Sequence, residues 1–265
     1  MNTAGSVRVQ GAPSIRPQGA SFASIALSGL GAIVRRELWS YFRQPAGWII
    51  IALCTLLMGV VFAVGVLTPN QPASLRTLFD ASGWLLLPLA PAITMRLFSE
   101  EYRSGTIEPL LASPVSTPVL VFGKYLGSVM FLLCMLVPTL VFPITLALFS
   151  SPMLDVGPIA SGYVALVMLG MLYLSIGLLA SACTSNATLA FMLTLFFVLG
   201  WLLLPAAAKL GPIAQAIVFR LSLAPRVADF AKGVVDLGHV AFFAACTSVL
   251  LACTVAVVRL RRWQS

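Results

Sequence analysis

Residues 160–183 read ASGYVALVMLGMLYLSIGLLASAC, and no side chain in this stretch carries a charge at neutral pH. An α-helix needs about 20 consecutive apolar residues to cross the roughly 30 Å hydrocarbon core of a bilayer. The stretch is long enough and apolar enough to predict a membrane-spanning helix.

The rest of the chain has the same character. Of its 265 residues, 60% are hydrophobic and only 9% are charged, and the mean hydropathy is +1.01. Soluble domains carry about 25% charged residues, so this composition excludes an ordinary soluble protein. We therefore predict an all-α polytopic membrane protein with six spans. The predicted spans cover residues 47–67, 81–98, 121–149, 160–183, 188–208 and 239–258.

The segment before the first span divides into two parts. Residues 1–24 are rich in Gly, Pro, Ser and Ala and contain no acidic side chain, which predicts a disordered arm. The remaining residues, 25–265, are predicted to form a single membrane domain. It opens with an amphipathic helix over 25–44 that lies in the membrane surface. The apolar face of this helix carries Leu27, Leu30, Val34, Leu38 and Tyr41, and the opposite face carries Arg36, Ser40 and Arg43.

The distribution of basic residues predicts the orientation. If the N-terminus lies inside, inner segments carry eleven of the 16 Lys and Arg side chains and outer segments carry five. Cytoplasmic loops are enriched in Lys and Arg, so both termini are predicted to be cytoplasmic. Membrane orientation also explains the net charge of +8, and no nucleic-acid partner is expected.

The connection before the last span, residues 209–238, has a pattern of its own. It contains two short amphipathic pieces around Pro225, each too short or too polar to span the membrane. A free loop is one interpretation, but a re-entrant hairpin that dips into the outer leaflet is favoured because several apolar side chains need burial. These side chains are Ile213, Ile217, Val218, Phe219 and Leu221.

The predicted spans contain no Asp, Glu, Lys, Arg or His once their interfacial ends are left out. Ion-coupled carriers need ionisable groups at membrane depth, so a secondary carrier is disfavoured. No catalytic cluster and no metal-ligand spacing is visible, and Gly123-Lys124 lacks the glycine-rich loop of a nucleotide-binding P-loop. Any work that this protein performs must draw its energy from another polypeptide.

One dense charged segment interrupts the apolar chain: FSEEYRSGTIEPLLASPVS, residues 98–116. Its first residues are predicted to carry the second span out of the membrane, and Ser104-Gly105 to end that helix. Thr106 then favours the N-cap of a new short helix, with Glu108 in its first turn and Pro114 ending it. The simplest interpretation of the segment is a solvated connector.

A resemblance favours a different interpretation. Residues 97–127, LFSEEYRSGTIEPLLASPVSTPVLVFGKYLG, are similar to the cytoplasmic loop of ABC-2 type permeases, particularly the gliding-motility-associated subfamily. Residues 221–263 resemble the ending of that group, with its F-x-[KR]-G-V-[IV]-D stretch and terminal R-R-W. The R-R-E-L-x-x-Y-F-x-x-P-x-x-W entry at residues 35–48 belongs to the same pattern. Pro109 departs from it, because a leucine-like residue is expected there.

The resemblance implies a transmembrane permease subunit in the bacterial inner membrane that moves an unidentified substrate, with export the expected direction. Its implied partners are a cytoplasmic ABC ATPase dimer, which holds ATP and Mg²⁺, a second permease copy or paralogue, and membrane lipid; this chain would hold no cofactor. The loop after the second span would be the cytoplasmic coupling helix that docks on the ATPase. The implied coupling residues are Glu100, Glu101, Arg103, Gly105, Thr106, Ile107 and Glu108, and the flanking interfacial-helix residues are Arg35, Arg36, Glu37 and Arg43.

Two related functions remain compatible with the residues. One is a permease of the kind that serves nitrous-oxide reductase maturation, whose loop is similar. The other is a non-transporting membrane scaffold driven by an ABC ATPase. No polar cluster within the predicted spans separates these from an exporter.

Overall fold

The computed structural model describes residues 22–66, 74–105, 116–149, 155–207, 218 and 220–262, and within them every regular element is a helix. The helices are α1 (Phe22–Arg43), α2 (Pro45–Gly65), α3 (Arg76–Asp80), α4 (Ser82–Thr94), α5 (Ser99–Ser104), α6 (Thr117–Leu136), α7 (Val141–Phe149), α8 (Val156–Cys183), α9 (Ala187–Ala207), α10 (Ala224–Ala231) and α11 (Leu237–Arg262). A 3-10 turn, Pro138–Leu140, joins α6 to α7. Most of the predicted disordered arm lies outside the described residues, although α1 begins three residues earlier than expected.

Among the described residues, five segments are long and apolar enough to cross a membrane, and they confirm the prediction of an all-α polytopic membrane protein. Prolines start or divide several of them, as at Pro45 in the first turn of α2, where a missing N–H breaks no helical bond. The five segments are Pro45–Gly65, Thr117–Leu148, Val156–Cys183, Ala187–Ala206 and Leu237–Arg261.

The predicted second span, 81–98, is shorter in the structure than the sequence suggested. Its helix, α4, has 13 residues and ends at Thr94, so it is about 20 Å long at 1.5 Å per residue. It contains Pro88 and Pro91, and most of its side chains are buried. The backbone after Thr94 is not helical. Such backbone is tolerated at membrane depth where it is buried in protein, and α4 is enclosed because it packs between α2, α8 and α9.

Helix α8, which contains the stretch quoted at the outset, is the centre of the bundle. Some 72% of its apolar spanning stretch is buried inside the protein, against 17–39% for the other four spanning segments. It contacts α4, α6, α9, α10 and α11. Close approach depends on two glycines: a Cβ at Gly170 would lie 2.5 Å from Leu132 Cδ2, and one at Gly177 would overlap Thr94 Oγ1. Small residues at helix contacts are typical of membrane bundles.

Segments that were predicted to share a side of the membrane do lie together in the structure. At one end, the Arg261 guanidinium donates to the Cys183 carbonyl and lies 4.6 Å from the centre of the Tyr102 ring. At the other end, Ser161 donates to the Phe230 carbonyl at 2.6 Å. Which of these ends faces the cytoplasm stays a prediction.

The described part of the predicted outer hairpin is α10, which has Pro225 in its first turn. Val227 and Phe230 are buried, and α10 packs on α8 and α3. Hydrogen bonds from Lys232 and from His239 lower the pKa of Asp229 below its ordinary value. In the earlier half of the hairpin, residues 209–217 and 219 lie outside the described residues; Val218 is buried, whereas Leu221, which was also expected to be buried, is 40% exposed.

The contact between α4 and α8 yields a first prediction. Gly177→Ala lowers the free energy of unfolding by about 1–3 kcal/mol, because the added methyl group overlaps Thr94 in a packed core. The measurement is the denaturation midpoint of the detergent-solubilised protein. Gly200→Ala is the matched control: nothing lies within 4 Å of its Cβ position, and helix propensity favours alanine by about 1 kcal/mol. Equal midpoints for the two variants would contradict the close contact.

Candidate functional site

Helix α1 has the two faces that the sequence predicts. Ile33, Leu38 and Tyr41 pack against the core, and the Tyr41 hydroxyl donates to the Ile93 carbonyl at 3.0 Å. The exposed face carries Arg35, Arg36, Trp39, Ser40 and Arg43. Helix α1 is therefore attached to the bundle by one side and presents a basic, partly aromatic surface on the other.

Helix α1 packs closely against α6 at two glycines of α6. A Cβ added at Gly123 would lie 2.7 Å from Ile33 Cγ2, and one added at Gly127 would lie 2.7 Å from Glu37 Cβ. Any side chain at these positions would push the two helices apart. The close approach brings the α1 backbone next to Lys124, which lies between the two glycines in sequence.

Lys124 is buried, with only 2% of its side chain exposed. Its ammonium donates to Glu37 Oε1 at 2.8 Å, to Glu101 Oε1 at 2.8 Å and to the Leu97 carbonyl at 2.7 Å. All three ammonium hydrogens therefore have an acceptor, as a buried charge requires. The ammonium also lies 5.1 Å from the centre of the Phe98 ring.

Arg36 completes this arrangement from the exposed side. Its Nη2 lies 3.1 Å from Glu101 Oε1 and 3.5 Å from Glu37 Oε1. We call Arg36, Glu37, Glu101 and Lys124 the charge cluster. It contains two positive and two negative groups, so the buried lysine is neutralised locally, and it links α1, α5 and α6.

Between α4 and α5 the backbone leaves the helical path, and α8 supplies the missing hydrogen bonds. The N–H groups of Phe98 and Ser99 donate to Ser181 Oγ at 3.0 and 3.1 Å, and Ser181 Oγ donates to the Met95 carbonyl at 3.2 Å. Buried backbone groups must be paired, and a single buried serine satisfies three of them here. This contact fixes the start of α5 against α8.

The predicted coupling segment is described only in its first part. Helix α5 has Glu100 and Glu101 in its first turn and Arg103 in its last. It ends where the sequence predicts, at Gly105, whose φ of 69° lies in the left-handed region that favours glycine. Thr106, Ile107 and Glu108, together with the short helix predicted to follow them, lie outside the described residues.

A cavity of about 460 Å³ lies beside the charge cluster. Its polar lining includes Ser40, Gln44, Arg96 and Glu100. Arg96 Nε lies 3.8 Å from Glu100 Oε1, and Arg96 also donates to the Gln44 side chain at 3.3 Å. Polar groups from α1, from the turn between α4 and α5, and from α5 therefore converge on this end of the bundle.

The structure gives two residues contacts that the sequence interpretation did not include. Glu37 was grouped with Arg35 and Arg36 as a side chain flanking a partner, but it is 9% exposed and bonded to Lys124. Lys124 was counted only as an inner positive charge. The helical spacing gave a signal for Glu37, because it lies four residues from both Ile33 and Tyr41 and so shares their core-facing side.

No three His, Cys, Asp or Glu side chains in the described part of the chain are grouped as metal ligands. The ion pairs of the charge cluster run between α1, α5 and α6 and so join these elements to one another.

The fold defines a polytopic helical membrane domain whose charged side chains gather outside a largely apolar centre. The chain belongs to the ABC-2 family of transporter proteins, because the model of that family, described as ABC-2 family transporter protein, matches residues 31–258. It is accordingly a membrane permease subunit of an ABC transporter. A comparison with curated proteins found no match. Membership of the gliding-motility-associated subfamily stays a prediction.

The charge cluster yields a second prediction. Lys124→Met lowers the free energy of unfolding by about 3–5 kcal/mol, because the buried Glu37 and the partly buried Glu101 lose the ammonium that both contact and keep only the exposed Arg36. Denaturation of the detergent-solubilised protein measures the effect. Combining Lys124→Met with Glu37→Gln and Glu101→Gln recovers most of the loss, since the carboxylate charges are removed together with the ammonium.

Lys232→Met is the matched control for this measurement. Lys232 pairs with Asp229 at 3.1 Å, but 46% of its side chain is exposed, so its loss changes stability by at most about 1 kcal/mol. The interpretation of the cluster is wrong if Lys124→Met is as stable as this control.

Proposed function

We propose that this permease is driven by a separate cytoplasmic ABC ATPase dimer that docks on residues 99–108, and that the charge cluster transmits the movement of the docked segment into the bundle. The observation that carries this proposal is the position of Lys124. Its ammonium contacts acceptors from α1, from α5 and from the backbone just before α5. A displacement of α5 therefore displaces α1 and α6 with it.

The other contacts of α5 extend this connection. Ser181 attaches its start to α8, and Tyr102 packs under the Arg261 guanidinium of α11. Four helices besides α5 are thus joined to one six-residue element. An element so connected is suited to distribute force, whereas a solvated connector would have few contacts with the bundle.

Exposed charges around this end suit a protein partner. Arg35 and Arg43 on α1 and Arg103 on α5 are exposed, and 54% of the Glu100 side chain is exposed. These side chains surround the buried cluster, so a partner seated on them would press on α1 and α5 together. Charged side chains at the rim of an interface favour fast and selective association.

The proposed cycle follows from this arrangement. ATP binds with Mg²⁺ between two ATPase subunits and closes them, and the docked segments move. The charge cluster passes this movement to α1 and α6, and Ser181 passes it to α8. A second permease copy or paralogue supplies the other half of the pathway in the bacterial inner membrane, and the substrate is exported.

Two substitutions in the docking segment test the coupling. Gly105→Pro and Glu108→Lys each abolish the stimulation of ATP hydrolysis by the permease while leaving membrane insertion intact. Proline cannot adopt the φ of 69° found at Gly105, and lysine reverses the charge that Glu108 offers to a partner. The measurement is ATPase activity of the reconstituted complex with its co-purifying ATPase.

Arg76→Ala is the control, because Arg76 lies at the opposite end of the bundle and has 51% of its side chain exposed. It should leave ATPase stimulation unchanged. Stimulation that survives both docking-segment substitutions would rule out the proposed role of this segment.

The orientation of the chain is tested by labelling single cysteines in intact cells with a membrane-impermeant maleimide. Asp236→Cys reacts directly, whereas Arg103→Cys reacts only after permeabilisation, because the Arg-rich end is predicted to face the cytoplasm. The reverse pattern would place the docking segment outside and exclude an ATPase there. The background for both variants replaces the native thiols of Cys54, Cys134, Cys183, Cys246 and Cys253 with serine.

A further inference from the structure

A second cavity lies away from the charge cluster, between α4, α8, α9 and α10. Its volume is about 430 Å³, within the roughly 300–1,000 Å³ that small-molecule sites occupy. It extends from Asp80 and Pro225, at the end where α3 and α10 lie, to Tyr173, about 26 Å along α8 from that helix's first residue. Its lining is mainly apolar and includes Trp84, Leu169, Leu202, Pro205, Leu223 and Val227.

Tyr173, at the inner limit of this cavity, has an unusual environment. The residue is fully buried, and its hydroxyl has no hydrogen-bond partner among the described residues. Of the other tyrosines, Tyr41, Tyr125 and Tyr163 each donate to a backbone carbonyl, whereas the Tyr102 hydroxyl also has no hydrogen-bond partner among the described residues. A buried hydroxyl is normally paired, so the Tyr173 hydroxyl is open to a hydrogen-bond partner that the described residues do not supply.

Gly83 provides the space next to this hydroxyl. The Tyr173 oxygen lies 3.7 Å from the position that a Cβ of Gly83 would occupy, and Gly83 also lines the cavity. A larger side chain there would close the space between α4 and α8. A bound molecule could therefore bring an acceptor atom to Tyr173 from the cavity side.

The charge of the lining restricts the ligand. Asp80 is the only ionisable carboxylate or amine among the described lining residues. It lies at the outer limit of the cavity, with 48% of its side chain exposed, and Arg76 stands 4.0 Å away. Nothing in the described lining would stabilise a charged group near Tyr173.

We propose that this cavity binds a neutral, predominantly apolar molecule with one carbonyl or hydroxyl oxygen, which accepts a hydrogen bond from Tyr173. The apolar walls take the body of the molecule, and the tyrosine fixes its orientation. The proposal for this cavity does not depend on the ATPase docking described above, and its test uses the permease alone.

Benzophenone is a suitable probe, since it is an apolar ketone that labels nearby C–H groups under ultraviolet light. The full-length protein in lipid nanodiscs is irradiated with it, and labelled peptides are mapped by mass spectrometry. Labelling concentrates on the segments of α8 and α10 around Tyr173 and Ala228. Tyr173→Phe reduces this labelling by about fivefold to tenfold, the loss expected for one neutral hydrogen bond.

Tyr163→Phe is the matched control on the same helix, because the Tyr163 hydroxyl already donates to Thr139; it leaves the labelling unchanged. Ala228→Phe fills the cavity and abolishes labelling, whereas Ala252→Phe, at an exposed position of α11, does not. If Ala228→Phe fails to fold, the labelling of Tyr173→Phe alone tests the proposal, since this substitution removes the hydroxyl and keeps the ring.

Two results would overturn the proposal. Labelling spread evenly over the exposed helix faces would mean that benzophenone only dissolves in lipid. Labelling that Ala228→Phe removes but Tyr173→Phe leaves intact would assign the cavity to a purely apolar occupant such as a lipid acyl chain. Both results leave the ATPase-coupling proposal untouched, because no nucleotide or ATPase is present in the experiment.

Discussion

A lysine ammonium held away from water between two carboxylates is the interaction on which this end of the molecule depends. Burying an isolated ammonium is so unfavourable that it would instead lose its proton or disrupt the fold. Lys124 stays compatible with burial because Glu37, Glu101 and the Leu97 carbonyl accept its three hydrogens. These acceptors come from separate elements, so satisfying the charge also fixes how α1, α5 and α6 are placed relative to one another.

The same requirement for paired polar groups explains why the second predicted span is short. A helix that ends at Thr94 leaves backbone groups without helical partners, and in lipid these would be costly. Burial among α2, α8 and α9 removes the lipid, and Ser181 replaces the lost hydrogen bonds. The close contact of Gly177 with Thr94 brings Ser181, one turn further along α8, within reach of this break.

The sequence was informative where a property depends on neighbouring residues. Apolar length predicted six spans, of which five correspond to helical segments long enough to cross a membrane, and three- and four-residue spacing predicted the faces of α1. It failed where the property depends on residues far apart: Lys124 and Glu37 are separated by 87 positions, and no local pattern pairs them. Length alone also could not show that the 81–98 segment is enclosed by other helices, which is what permits it to be short.

The charge cluster also refines the argument that the spans lack ionisable groups. Lys124 lies about 10 Å from the start of α6, inside a segment able to span the membrane, so the centre of the bundle is less uniformly apolar than the sequence suggested. Its partners, however, come from helices that flank the spans, and the four charges sum to zero. A cluster with no net charge, in which all three hydrogens of the buried ammonium are bonded, is poorly suited to binding a further ion and well suited to holding elements together. For a subunit of the ABC-2 family, this favours energy that enters as movement at one end over energy carried by a coupled ion.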